Sequence, residues 1–471
     1  MIDKLLCKNS NTLIDAWKII NENGKGTVFI IDELEKLIGV LTDGDIRSFL
    51  LKDNNLNVSI LEVMNTSFVF STINATPKEL FPLFNDRIKI IPLVNDHNVL
   101  VDFMELNKSL YIPVAIPDLN GKEYEYLTDA FLSTWISSTG EYIDRFENDF
   151  SSYCGVDYGI AVSNGTVALQ LALETLGVGA GDEVIVPDLT FAATINAVLH
   201  VNATPVIVDV EEDSWCIDPK EIKKAITQKT KAIIPVHLYG QVCDMDSIME
   251  IAERTKVFVI EDCAEAHGAT FKGEKVGSIG DIGCFSFFGN KVITTGEGGM
   301  CITNNKELNS LMRVMRDHGM SKEKRYWHDL VGYNFRITNL QASIGVAQIE
   351  RIEEILLERK NIENAYKKEL KQVKELVFQP NNLSNRNKIT WFVSVLLLNN
   401  RDLVIDKLKD EGIDARPFFY PLSIMPIYKS YVFSSQKSQE LSKLGINLPT
   451  NKKINKNTIL RIKSVIEKNI S

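Results

Sequence analysis

With 471 residues, 45% of them hydrophobic and 24% charged, the chain has globular composition and exceeds one ordinary core, so two or three domains are expected. Fifty-two Lys and Arg against sixty-two Asp and Glu give a net charge of −10, which argues against a general nucleic-acid or anionic-membrane surface but allows a local basic pocket. The seven cysteines lack CxxC spacing and read as reduced, structural thiols. MIDKLLCKNSNTLIDAW has no uninterrupted apolar core of a secretory signal, and Val393 to Leu398 is far too short to span a bilayer, so a cytoplasmic protein is expected.

Residues 1–111 carry a weak internal repeat. Leu13 to Asn23 is helix-like, VFII and GVLT are strand-like, and DGDIRSFLL forms a second helix. The pattern recurs as a helix over TPKELFPLFND followed by strands at Lys89 to Val94 and Asn98 to Met104. GVLTDGDIR resembles the nucleotide-binding signature of CBS domains. The resemblance implies a tandem CBS module in which Thr42 and Asp45 hold the ribose and phosphate of an adenine nucleotide. The other reading is that Thr42 or Asp43 only caps the following helix. Where the first copy has LTDGD the second has VDFME, so no equivalent second site is expected.

From Ile112 the chain alternates strand and helix. Strand-like runs fall at Tyr158 to Val162, Glu183 to Val186, Val206 to Val210, Ala232 to Val236, Val257 to Ile260, Gly283 to Phe288 and Met300 to Thr303. This is an α/β pattern with a mostly parallel sheet, whose ligands collect beyond the carboxyl ends of the strands. After the first run, SNGTVALQLALETLG opens a helix, and the N–H groups of Asn164, Gly165 and Thr166 suit a phosphate, as does the Thr166 hydroxyl. Phe191, in DLTFAAT, offers a flat apolar surface for a ring, although alone it reads equally as core.

Asp262 follows a buried apolar run, where a carboxylate is costly unless paired. A protonated pyridine nitrogen is one partner that would hold it ionised, and a salt bridge or a turn cap is another. Ala264 is small enough to lie under a ring, Glu265 could reach a ring hydroxyl, and Ser286 could join a phosphate cradle. Lys291 follows the run GCFSFF after a Gly-Asn break. An amine in a partly dry pocket loses proton affinity and can form a Schiff base with an aldehyde such as pyridoxal phosphate.

The stretches STWISSTG, SNGTVAL, GDEVIVPDLTFAAT, PVHLYG, IEDCAEAHGA, GDIGCFSFFGNKVITTGEGGM, YWHDLVGYNFRITNLQA and ARPFFYPL resemble the sugar-nucleotide aminotransferases of the fold-type I pyridoxal phosphate class. The resemblance covers about 355 residues, from Ile112 to near the C-terminus. It implies a large cofactor domain over 112–364 and a small α+β domain over 365–471. It further implies that Lys291 attaches pyridoxal 5'-phosphate, Asp262 holds the pyridine nitrogen, Gly165, Thr166 and Ser286 grip the phosphate, and Phe191 stacks on the ring. A homodimer follows, with Asn334 reaching the phosphate of the partner subunit. Many relatives carry Gln where this chain has Glu265, and a carboxylate there would repel the cofactor's phenolate unless protonated or otherwise paired. His328, Tyr326 and Arg416 are candidates for contacting the sugar or its diphosphate. The implied reaction moves an amino group from L-glutamate to the keto carbon of a nucleotide-linked 4-keto-6-deoxy sugar. GDP-4-keto-6-deoxymannose is the implied acceptor, with UDP- and dTDP-linked sugars as alternatives. A sugar dehydratase of the same fold would have histidine in place of Lys291, and a passive ligand-sensing regulator has no need of Lys291, Asp262 and Ser286 together.

Overall fold

The structure is a computed structural model that describes residues 2–53, 55–75, 77–85, 88–105 and 111–470. The chain divides between Ile112 and Pro113 into two compact units.

The first unit repeats one small topology. Strand β1 (Leu6–Lys8) runs parallel to β2 (Thr27–Ile31), which turns antiparallel into β3 (Leu37–Thr42). The second copy has the same order, β4 (Ser71–Thr72) parallel to β5 (Ile90–Val94) and β5 antiparallel to β6 (Leu100–Glu105). The helix Leu13–Asn23 buries Leu13, Ala16 and Ile20, one face at helical spacing, and ends where Gly24 takes φ 63°. The helix expected over TPKELFPLFND is cut short. Only Pro77–Leu80 and a 3-10 turn at Phe81–Leu83 form, because Pro82 lacks the N–H that a continuing helix needs.

The second unit is built on a seven-stranded sheet. Its strands are β7 (Tyr158–Val162), β8 (Glu183–Pro187), β9 (Thr204–Val208), β10 (Thr230–Ile233) and β11 (Phe258–Asp262), then, after the hairpin β12 (Thr270–Phe271) and β13 (Glu274–Lys275), β14 (Ile282–Ser286) and β15 (Gly299–Thr303). The order across the sheet is β7-β15-β14-β11-β10-β8-β9, and β15 alone runs against the rest. Both faces are covered. Ile160 and Val162 of β7 enter one core while Ala161 enters the other, which is why these strands read as continuous apolar runs. On one face, Phe150 of the helix Glu141–Cys154 meets Phe285 and Phe287 edge-on, at 4.8 and 5.1 Å between ring centroids.

Strands β9 and β10 begin two residues earlier than the apolar runs suggest, and β11 continues through Asp262. The last extension is set by hydrogen bonding: Asp262 donates its N–H to the Pro235 carbonyl and accepts from the N–H of His237. Downstream, the helix Ile352–Glu369 runs uninterrupted through the expected boundary at 364/365. Only after it does the chain enter an antiparallel sheet in the order Leu376–Phe378, Val393–Leu397, Gly445–Leu448, Arg416–Pro417. Among the described residues, no helix is long and apolar enough to cross a membrane.

Candidate active site

A cavity of about 780 Å³ opens beyond the carboxyl ends of β7, β8, β11 and β14. One wall is the start of the helix Gly165–Thr175. Asn164 is its N-cap, and the Asn164 side chain accepts the Val167 N–H at 3.1 Å, so it caps the helix instead of offering itself to a ligand through that group. The N–H groups of Gly165 and Thr166 are then the ones left without an intrahelical acceptor at the positive end of the helix. Ser286, ending β14, closes this corner: a Cβ on Gly165 would lie 2.7 Å from the Ser286 Cβ. The space is a cradle that a methyl group would fill, sized and polarised for an anion.

Phe191 lines the next wall with 59% of its surface exposed, its ring 5.7 Å from that of Phe419. Ala264 lies opposite in the lining, and Asp262 forms the floor. The Asp262 carboxylate accepts the Ala264 N–H at 3.1 Å and the Thr194 hydroxyl at 2.9 Å, and Thr194 is itself 3.0 Å from the Thr190 hydroxyl. Burial nevertheless raises its pKa against these bonds and the nearby charge of Lys291. A cationic partner in the cavity would restore its ordinary ionisation.

Next to Asp262 on the strand, Glu261 takes the N–H groups of Gly277, Ile279 and Gly280, at 2.7 to 2.8 Å, and pairs with His237 Nε2 at 3.0 Å. Because the Cys243 N–H donates to His237 Nδ1, Nε2 carries the imidazole hydrogen. His237 and Glu261 lie close enough to Cys263 to suggest a metal cluster, but their polar atoms are occupied by these bonds. They bracket β11 to the loop that leads into β14, and so fix Asp262 relative to Ser286.

Lys291 reaches the cavity over the ring of Trp391, with Nζ 4.4 Å from the ring centroid and 3.8 Å from Glu265 Oε1. Burial depresses its pKa, while the charges of Glu265 and Asp262 oppose the shift. Burial also lifts Glu265 to about 7, against the pull of Lys291 and of the Tyr239 N–H that it accepts at 2.9 Å. Both conditions that a carboxyl group at this place requires are therefore met, since it is close to neutral and has a cationic partner.

Arg416 also lines the cavity, with Nη2 3.3 Å from Asp414. Asn334, His328 and Tyr326 do not line it within one chain. Asn334 Oδ1 accepts from Arg336 at 3.0 Å, His328 Nδ1 lies 2.9 Å from the His318 carbonyl, and Tyr326 is exposed at φ 63°. Three lining residues escape the sequence reading: Trp391, Thr194 and Phe419. Thr194 had a visible signal, three residues after Phe191 in DLTFAAT, the spacing of one helical turn. In the first unit, Thr42 and Asp45 bond to each other, Oγ1 to Oδ2 at 2.7 Å, and close a capping box at the start of the helix Asp43–Leu50.

Residues 117–467 match the family model described as DegT/DnrJ/EryC1/StrS aminotransferase family, and residues 1–52 match that of the CBS domain. The chain belongs to the DegT/DnrJ/EryC1/StrS aminotransferase family. It is 45% identical over 361 residues to the GDP-perosamine synthase of Caulobacter vibrioides, covering 76% of this chain and 97% of that one. The same identity extends over 342 residues of the GDP-perosamine synthase of Escherichia coli O157:H7, 72% of this chain and 93% of that one. A Streptococcus pneumoniae protein solved in its PLP form superposes with a TM-score of 0.72 at 29% identity, over 77% of this chain and 100% of the other. Enzymes of this family work with pyridoxal phosphate, and the anion cradle, the exposed aromatic wall and the buried carboxylate of this aminotransferase fit its phosphate, ring face and ring nitrogen in turn.

Gly165→Ala is expected to fill the cradle. Calorimetric titration of the cofactor-free protein with pyridoxal phosphate should show affinity at least about tenfold weaker, a loss of about 1.4 kcal/mol, with unchanged circular dichroism. Unchanged affinity would place the phosphate elsewhere.

Proposed function

We propose that this aminotransferase moves the amino group of L-glutamate to C4 of GDP-4-keto-6-deoxymannose, yielding GDP-perosamine. The observation that carries the reaction type is the convergence of Lys291, Asp262 and an open helix N-terminus on one cavity. The two GDP-perosamine synthases, matched over nearly their whole length, support the acceptor.

When bound, pyridoxal phosphate supplies an aldehyde that carries the amino group and a ring that draws electrons from the reacting carbon. The chain's own residues do the rest. Gly165 and Thr166 N–H groups and the Ser286 hydroxyl hold the phosphate, Phe191 and Ala264 confine the ring, and Asp262 keeps a proton on the ring nitrogen. Lys291 Nζ takes a proton from the α-carbon of glutamate in the first half of the reaction and delivers one to C4 of the sugar in the second. Its depressed proton affinity keeps enough neutral amine present for the first role. Trp391 and Phe419 screen the amine from water, and Arg416 at the cavity wall offers a charge for the diphosphate or the donor carboxylate.

We further propose a homodimer. Trp135, Ile136 and Val331 are exposed apolar side chains in the chain taken singly, which supports their burial against a second copy, with Asn334 turned towards the partner's cofactor. The seven free, buried cysteines support a reducing, cytoplasmic location. For the first unit we propose an adenine nucleotide at the start of the helix Asp43–Leu50, where ribose hydroxyls would take over the bonds that Thr42 and Asp45 now make to each other.

Incubation with pyridoxal phosphate, L-glutamate and, in turn, GDP-, UDP- and dTDP-linked 4-keto-6-deoxy sugars should give an amino sugar, read by mass spectrometry, from the GDP compound. Conversion of only a UDP or dTDP compound would overturn the acceptor, and Lys291→Ala should abolish turnover. Calorimetry of the full chain with AMP, ADP and ATP is expected to give saturable heat that Asp45→Ala removes. No heat with any of the three sinks the nucleotide site.

A further inference from the structure

The side chain of Glu265 is fixed at one oxygen and directed at Lys291 with the other. Oε2 is held by the N–H of Tyr239, in a turn where that residue takes the left-handed φ of 53°. Tyr239 is itself immobilised. Its buried ring packs against Phe418 at 4.6 Å and Trp391 at 6.1 Å, and its hydroxyl accepts the Phe419 N–H at 2.8 Å. Oε1 therefore faces Lys291 Nζ from a rigid base. The separation of 3.8 Å exceeds a direct hydrogen bond by about 1 Å, a gap that rotation of the long lysine side chain closes.

We propose that Glu265 and Lys291 hold one mobile proton between Oε1 and Nζ, the carboxyl storing the proton that the lysine gives up on becoming a neutral amine and returning it when the lysine acts as an acid. The transfer converts carboxylate and ammonium into carboxylic acid and amine. One N–H bond breaks as one O–H bond forms, the net charge of the pair is unchanged and no co-reactant is consumed. Burial favours this exchange, because it moves the proton affinities of the two groups towards each other, down for Lys291 and up to about 7 for Glu265. The other groups facing the pair are Asp262 at the end of β11, the phenol of Tyr239, and His267, which burial holds neutral with a pKa pushed down to about 3. Asp262 is thus the remaining charge near the pair, and its hydrogen bonds to Ala264 and Thr194 direct it elsewhere. The proposal rests on Lys291 being the reactive amine of the transaminase proposed above.

Glu265→Gln separates a proton store from a structural strut, since the amide oxygen still accepts the Tyr239 N–H but takes up no proton. The full-length protein, freed of cofactor, is pulsed with acetic anhydride across a pH series, and acetylation at Lys291 is read by mass spectrometry. The variant's midpoint should fall by about one pH unit or more, because a neutral amide no longer sustains the ammonium form, giving about tenfold faster labelling near neutrality. A second variant reads the other partner. In Lys291→Met the Glu265 carboxyl, followed by carbon-13 NMR, should titrate at higher pH than in the native chain. Equal midpoints for the native chain and Glu265→Gln, or a Glu265 titration indifferent to Lys291→Met, would overturn the proposal. Coupled titration in a chain that forms no amino sugar would refute the proposed acceptor and uphold the proton pair, and uncoupled titration in an active enzyme would do the reverse.

Discussion

The site depends on one constraint: a parallel sheet brings the carboxyl ends of its strands to a single rim, and the polar groups placed there must be satisfied by each other or by a ligand. Asp262 is the clearest case. It extends the β11 ladder through its backbone, is 5% exposed, and accepts bonds from Ala264 and Thr194, yet burial still raises its pKa. A buried carboxylate in this state favours a cation, and a pyridine nitrogen that gains a proton is such a cation.

The remaining elements serve to hold that rim in register. Glu261 and His237 tie β11 to the loop before β14, so that Asp262 and Ser286 keep their spacing. Gly165 permits Ser286 to approach the helix terminus, and the cluster of Phe146, Phe150, Phe285 and Phe287 backs β14 and the residues that lead to Lys291. Rigid support of this kind matters for proton transfer, because misplacement of a reacting group by about 1 Å can cost a hundredfold in rate.

Much of this was legible in the sequence because its signals are local. Apolar runs marked the strands, and reading the residue after each run found Asp262, Ser286 and the helix that opens at Gly165. What was not legible depends on distant segments meeting. Trp391 lies 100 residues beyond Lys291 and reads only as the start of a strand, yet it covers the amine. The pairing of Glu265 with Lys291 is likewise invisible without the fold, although the sequence posed the question by placing a carboxylate there. Local rules also overreached: Pro82 ended a helix that the apolar pattern extended, and the 364/365 boundary fell inside a continuous helix.

The central claim is that Lys291, rather than any other lysine, is the reactive amine. Reduction of the pyridoxal phosphate-loaded full-length protein with borohydride, followed by digestion and peptide mass spectrometry, tests it most directly. The account predicts a single stable pyridoxyl adduct on the peptide containing Lys291. An adduct on a different lysine, or none in a protein shown to bind the cofactor, would contradict it.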